Sequence, residues 1–130
     1  MIIADIGCGA GHSTNKICRI LNDNDCNIIL AIDLFEGKVD GSDIDVLEYF
    51  YKNTVPTCMN IIPIKGSAIR ILEGFPDKFL DFAHYDIGNE LTEAGIYNVL
   101  KYKVKTPVRG PRCLETLVEM VGSYSSSSLD

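Results

Sequence analysis

The stretch DIGCGAG, residues 5–11, sets three alternate glycines behind an aspartate, directly after a short apolar run. Glycine lets a chain turn through backbone conformations closed to other residues, and it lets a ligand reach the main chain with no Cβ in between. A helix opening just after the glycines presents unpaired N–H groups and the positive end of its dipole. Asp33 follows Gly11 by 22 residues, about the spacing at which an acid reads the two hydroxyls of a ribose. Asp5, Gly7, Gly9, Gly11 and Asp33 together read as a cradle for an adenosine-type nucleoside. The plainer alternative is a tight turn without a ligand, beside a solvated loop acid.

The glycine spacing narrows the choice of nucleoside. A dinucleotide site wants G-x-G-x-x-G, but in the two registers here the third glycine would fall on His12 or on Thr14. An oxidoreductase using a nicotinamide cofactor is therefore disfavoured. A phosphate-binding P-loop needs a lysine followed by Ser or Thr after its last glycine, and none follows. An acid ahead of the glycines repels a pyrophosphate and suits a cationic amino-acid tail instead.

The elements that would position these residues alternate strand and helix. IIADI (2–6) is a buried-strand pattern. A helix is expected over 12–22, with Ile17, Ile20 and Leu21 on one side, and NDND (22–25) is turn chemistry. NIILAIDLF (27–35) is a second, nearly all-apolar strand, as for a parallel strand covered on both faces. A loop over 36–45 leads to a helix at about 43–53. CMNIIPI (58–64) is a third strand, which Pro63 consigns to an edge. Ser67 can cap a helix at 68–74 through its hydroxyl. FLDFAHYD (79–86) is a fourth strand, followed by a helix at 90–101 with Asn89 as cap. Leu114, Leu117, Val118 and Val121 give the stripe of a last helix.

Four apolar strands separated by helices imply right-handed crossovers and a parallel sheet with helices on both faces. The expected fold is thus α/β, a Rossmann-like three-layer αβα sandwich with a mainly parallel sheet of about four strands. Its domain covers residues 1–122, with a frayed low-complexity tail at 123–130. In such a sheet Asp5, Asp33, Lys65-Gly66-Ser67 and Asp86 fall on one rim, where ligands bind. His84, two residues before Asp86, shares its face of the strand; a hydrogen-bonded core histidine is its simpler reading. His12 touches either ligand or water, and at Cys8 a small residue is all the turn demands.

The motifs quoted resemble those of the class I S-adenosylmethionine-dependent methyltransferases. DIGCGAG is similar to their first motif. AIDLFEG (31–37), IIPIKGSA (61–68) and FLDFAHYD (79–86) resemble successive blocks of the macrocin O-methyltransferase-like branch, which acts on small molecules. The resemblance covers about residues 2–90. It implies S-adenosyl-L-methionine as cofactor, with Asp5, Gly7, Gly9 and Gly11 around the methionine part and Asp33 on the ribose. Leu34 and Phe35 would lie against the adenine, with Gly66 and Ser67 on its other side. Asp86 would face a small-molecule methyl acceptor as the catalytic residue, directly or through Mg2+.

The chain also departs from that pattern. It starts on its first strand, IGNELTEAG follows Asp86 where a second metal ligand is expected, and KYKVKTPVRG stands where a fifth strand would lie. The expectation is a domain truncated relative to the family, completed by a partner or a homodimer. A non-catalytic Rossmann-like relic or protein-interaction module is the alternative.

Composition sets outer bounds. Hydrophobic residues are 46% and charged residues 23% of the 130, an ordinary globular balance. A net charge of −6 argues against general nucleic-acid binding. KYKVKTPVRGPR (101–112) nevertheless holds five cations and no acid, either an anion grip or a solvated connector. No apolar run approaches the roughly 18 residues of a membrane span, and Met1 runs straight into a strand without a basic leader. Five cysteines without a CxxC pair are expected to be free thiols of a cytoplasmic protein.

Overall fold

The apolar runs and helical stripes give nine elements in a computed structural model that describes residues 1–21, 26–55 and 60–129. They are β1 (Ile2–Ile6), α1 (His12–Leu21), β2 (Ile28–Asp33), α2 (Val46–Thr54), β3 (Ile61–Lys65), α3 (Ala68–Glu73), β4 (Phe82–Tyr85), α4 (Glu90–Lys103) and α5 (Leu114–Leu129). The four strands pair in parallel in the order β3-β2-β1-β4. This is the expected α/β, Rossmann-like arrangement with a four-stranded parallel sheet.

Alternation along the strands sorts the core into two layers. Ala4, Ile6, Leu30, Ile32, Ala83 and Tyr85 cluster with Leu72 of α3 and with Ile96 and Leu100 of α4. Ile3, Ile29 and Phe82 cluster with Ile17 and Leu21 of α1 and with Leu117 of α5. Each fully buried Ile or Leu contributes about 1.5–3 kcal/mol. Docking of this kind, more than intrinsic propensity, holds a helix as short as the six residues of α3.

Both margins of the sheet are distinctive. At one, β3 is only partly buried and carries Pro63, in keeping with the edge position expected for it. At the other, residues after α4 run beside β4. Val104 bridges Leu80 in parallel, and the N–H groups of Lys105 and Arg112 donate to the carbonyls of Leu80 (2.8 Å) and Tyr85 (3.0 Å). The Thr106 hydroxyl donates to Asp81 O at 2.9 Å. The basic stretch therefore serves as an edging to β4.

Several boundaries differ from the sequence expectation for local reasons. Residues 42–45 fold into a turn, with Val39 N–H donating to Ile44 O at 2.9 Å and Ile44 N–H to Ser42 Oγ at 3.1 Å, so α2 starts at Val46. Ser67 stands at the cap position of α3 but makes no side-chain cap bond, whereas Asn89 Oδ1 does accept from Thr92 N–H at 3.0 Å. The fourth strand shortens because Asp81 turns its carboxylate onto Ile2 N–H at 2.7 Å. Helix α5 continues to Leu129 through the expected frayed tail; once a docked stripe has nucleated a helix, each added turn costs little. Val118 of that stripe is 53% exposed while Leu117 is fully buried.

The free-thiol expectation also needs correction, because Cys18 is disulfide-bonded; Cys8 and Cys113 are free. The NDND turn and Cys58 lie outside the described residues. Among those described, no helix is long and apolar enough to cross a membrane.

Candidate functional site

The turn after β1 is built by two main-chain bonds, Gly7 N–H to Ile32 O at 2.8 Å and Gly11 N–H to Cys8 O at 2.9 Å. Its glycines do different work. A Cβ on Gly7 (φ +76) would run into the main-chain carbonyl of Asp86 and the Ile87 side chain, and one on Gly11 would meet Thr54 Cγ2 at 2.6 Å. Those two positions are closed by the protein's own packing. Gly9 (φ +51) has no atom within 4 Å of where its Cβ would stand. Of the three, only Gly9 has room for a Cβ, while it is Gly7 whose backbone borders a cavity.

Asp33, at the end of β2, closes onto this turn. Its Oδ2 accepts from Gly9 N–H at 3.0 Å and its Oδ1 from Phe35 N–H at 2.8 Å. A carboxylate oxygen has two lone pairs, so each oxygen keeps one for a further donor. The bend that makes this possible holds Phe35 at φ +47, a left-handed conformation unusual for a bulky residue. Phe35 is anchored there by its ring, 3% exposed and edge-on to Phe50 at 5.1 Å. It therefore lies in the core, while Leu34, 52% exposed, lines the cavity.

That cavity has a volume of about 330 Å³ and is lined by Gly7, Ile32, Asp33 and Leu34, by Gly66, Ser67 and Ile69, and by Asp86, Ile87, Thr92 and Ile96. All four strands contribute their carboxyl ends or the residues just beyond them. The sheet order reverses between β1 and β4, the switch point at which open α/β sheets bind ligands. The volume falls at the lower end of the roughly 300–1,000 Å³ usual for small-molecule sites.

Asp5 lies behind the turn. It is fully buried, with Oδ2 accepting from Ser13 Oγ (2.8 Å) and Thr14 Oγ1 (2.7 Å), and Oδ1 3.0 Å from His84 Nδ1. The acid thereby pins the first turn of α1 to β4 and satisfies three polar side chains at once, as burial requires. His84 is the hydrogen-bonded core histidine of the simpler reading. His12 is exposed and off the cavity lining. Burial, then the charges of Asp5 and Asp33, push the Cys8 thiol well above its usual range, which favours the protonated form over the reactive thiolate.

At the far end of the cavity the structure reveals partners that the sequence did not suggest. Arg112 Nη1 donates to Asp86 Oδ1 at 3.0 Å and to Glu93 Oε2 at 2.9 Å. Glu93, on α4, is nearly buried, and the same oxygen accepts from Ile87 N–H (3.0 Å) and, more distantly, Gly88 N–H (3.5 Å). The Ile87 N–H above all, with Gly88 and Arg112 behind it and burial opposing, holds the Glu93 carboxyl below its ordinary range. The hydrogen bond to Asp86 and the charge of Glu93 raise Arg112.

The other cations of 101–112 are used internally. Lys103 bonds Phe75 O (2.6 Å) and Asp77 (3.1 Å), Lys105 pairs with Asp81 and Arg109 with Glu119, and Lys101 sits over the Tyr102 ring. The stretch thus runs along β4 with each of its cations engaged by a group of the same chain.

The resemblance allows for magnesium between Asp86 and the acceptor. A divalent cation needs oxygen ligands at about 2.0–2.6 Å. Here the two nearest carboxylates are already bridged by one guanidinium nitrogen. No group of three or more His, Cys, Asp or Glu side chains that could hold a metal occurs among the described residues. The donor set does not fit the ion.

Comparison of the sequence with known protein families gives no match, and no curated protein is similar to it at a significant level.

Proposed function

We propose that this chain is a nucleoside-binding domain for S-adenosyl-L-methionine and serves methyl transfer to an oxygen of a small molecule. The observation that carries the reading is Asp33, an acid at a strand end with one lone pair left on each oxygen, bonded to the one glycine of the turn with room for a Cβ. Two hydroxyls on adjacent carbons are the natural complement of such a carboxylate. Leu34, Ile69 and Ile96 offer apolar walls to a flat ring, with Gly66 and Ser67 beside them. Asp33 and Asp86, with one arginine between the latter and Glu93, leave the cavity net acidic, which suits a cationic sulfur and repels a pyrophosphate.

Bound there, the cofactor would supply an electrophilic methyl group on a sulfonium, with S-adenosylhomocysteine as the leaving group when an acceptor oxygen takes the methyl. The chain's own part is chiefly to hold the two reactants in line, a contribution that well-aligned pairs make large. Asp86 lies at the end of the cavity away from Leu34, with Oδ1 engaged by Arg112. Its remaining lone pairs would accept the acceptor's hydroxyl hydrogen and take up the proton that methylation releases.

Calorimetric titration with S-adenosylhomocysteine, beside NAD, tests the reading. Saturable binding of the first that Asp33→Ala weakens supports it. Preference for NAD would replace it with an oxidoreductase, and no nucleoside binding at all would leave a non-catalytic module.

A further inference from the structure

We infer that the Arg112 guanidinium takes the place of a divalent cation at the carboxyl end of β4, so that the cavity works without a metal ion. The second half of that statement rests on the nucleoside reading; the first stands on the side chains alone. Asp86 and Glu93 both place an oxygen within 3.0 Å of a single nitrogen, Nη1 of Arg112. Two carboxylates brought that close repel one another unless a cation stands between them. The arginine is that cation, and it is fixed from several sides. Its main-chain N–H donates to Tyr85 O at 3.0 Å, and its backbone is held at φ +58, a left-handed conformation uncommon for a non-glycine residue. Glu93 is fixed in turn by the main chain of the loop it caps, through Ile87 and Gly88. A guanidinium held this way neutralises the pair at hydrogen-bond distance and fills the space in which a metal would gather its ligands. Arg112 is thus a positioning residue, setting the direction in which Asp86 faces the cavity.

Manganese titration of the full chain, followed by electron paramagnetic resonance, tests this. The wild-type chain is expected to show no manganese site that Asp86→Asn removes. Its affinity for S-adenosylhomocysteine should be the same in excess magnesium and in chelator. Arg112→Ala should gain one site at least about tenfold tighter than any in the wild type, lost again when Glu93→Gln is added, in keeping with carboxylate oxygens as its ligands. An Asp86-dependent manganese site in the wild-type chain overturns the inference. So does a nucleoside affinity that magnesium raises, or a folded Arg112→Ala that gains no site. Should Arg112→Ala fail to fold, the comparison of wild type with Asp86→Asn still decides. Absence of any nucleoside binding would sink the cofactor reading and leave the manganese result to judge the arginine.

Discussion

Gly9 donates its amide hydrogen to the Asp33 carboxylate at 3.0 Å, and of the two it is Asp33 that lines the cavity. The bond ties the turn after β1 to the end of β2 and aims what remains of the carboxylate at the cavity. Asp33→Ala removes both this bond and the proposed partner of the ribose hydroxyls. Affinity for S-adenosylhomocysteine should fall about ten- to hundredfold, the roughly 1–3 kcal/mol of leaving polar groups unpaired. Unchanged affinity by calorimetry would take Asp33 out of the site.

Gly7 and Gly9 should both lose stability on substitution by alanine, but to different degrees. Gly9→Ala has room for its methyl and costs only the left-handed backbone, about 1–2 kcal/mol. Gly7→Ala adds a collision with the Asp86 carbonyl, which is main chain and cannot swing aside, so its cost rises to about 3 kcal/mol or more. Urea denaturation ranks the two; a Gly9 variant less stable than the Gly7 variant would contradict this packing.

Removing the Asp5 carboxylate strands the buried Thr14 and His84 and the partly buried Ser13. Asp5→Ala should destabilise the fold by about 3–5 kcal/mol, the scale for breaking a buried charged network. Asp5→Asn keeps an acceptor of the same shape and should cost distinctly less. Equal stabilities for the two variants would show that Ser13, Thr14 and His84 do not depend on the acid.

Two carboxyls contribute to the response to acid. At Asp81 burial works against the charge, but Ile2 N–H and Lys105 outweigh it and its titration lies below the ordinary 3.8; Glu93 likewise lies below 4.5. A carboxyl depressed on folding stabilises the protein above its unfolded-state value, and the benefit disappears as pH falls through the folded one. Stability should therefore be flat in this respect near neutrality and drop below about pH 4.5, with Glu93→Gln making the drop shallower. A Glu93→Gln chain with the wild-type acid profile would count against the Glu93 contacts.

Cys8 should resist iodoacetamide in the folded protein at neutral pH and react once the chain is unfolded, because the reagent needs a thiolate. Rapid alkylation of native Cys8, read by peptide mass spectrometry, would mean that the turn opens.

Much of the fold was legible because its signals are local and redundant. The apolar runs of β1 and β2 and the proline of β3 each state their own position. Asp33 was legible too, since strand periodicity carries an acid at its end to the rim. What the sequence could not state was direction. Phe35 beside Asp33 turns into the core because Phe50, fifteen residues on, provides an edge for its ring. Asp5, two residues ahead of the bend at Gly7, points beneath it because Ser13, Thr14 and His84 await it there. The pairing of Asp86 with Arg112 spans 26 residues and depends on how residues 104–112 lie along β4, which no spacing rule encodes. Ser13 and Thr14, hydroxyls in the first helical turn after a buried acid, were the one available hint.

The edging of β4 and the proline of β3 have a joint effect on how molecules of this protein can meet. An incoming strand would encounter a missing amide hydrogen midway along one flank, and on the other it would have to dislodge Lys105, Thr106 and Arg112 from the carbonyls they occupy. Neither flank offers an uninterrupted template for intermolecular pairing. Self-association through sheet growth is disfavoured by this architecture, and contacts with other chains fall more naturally to its helices and loops.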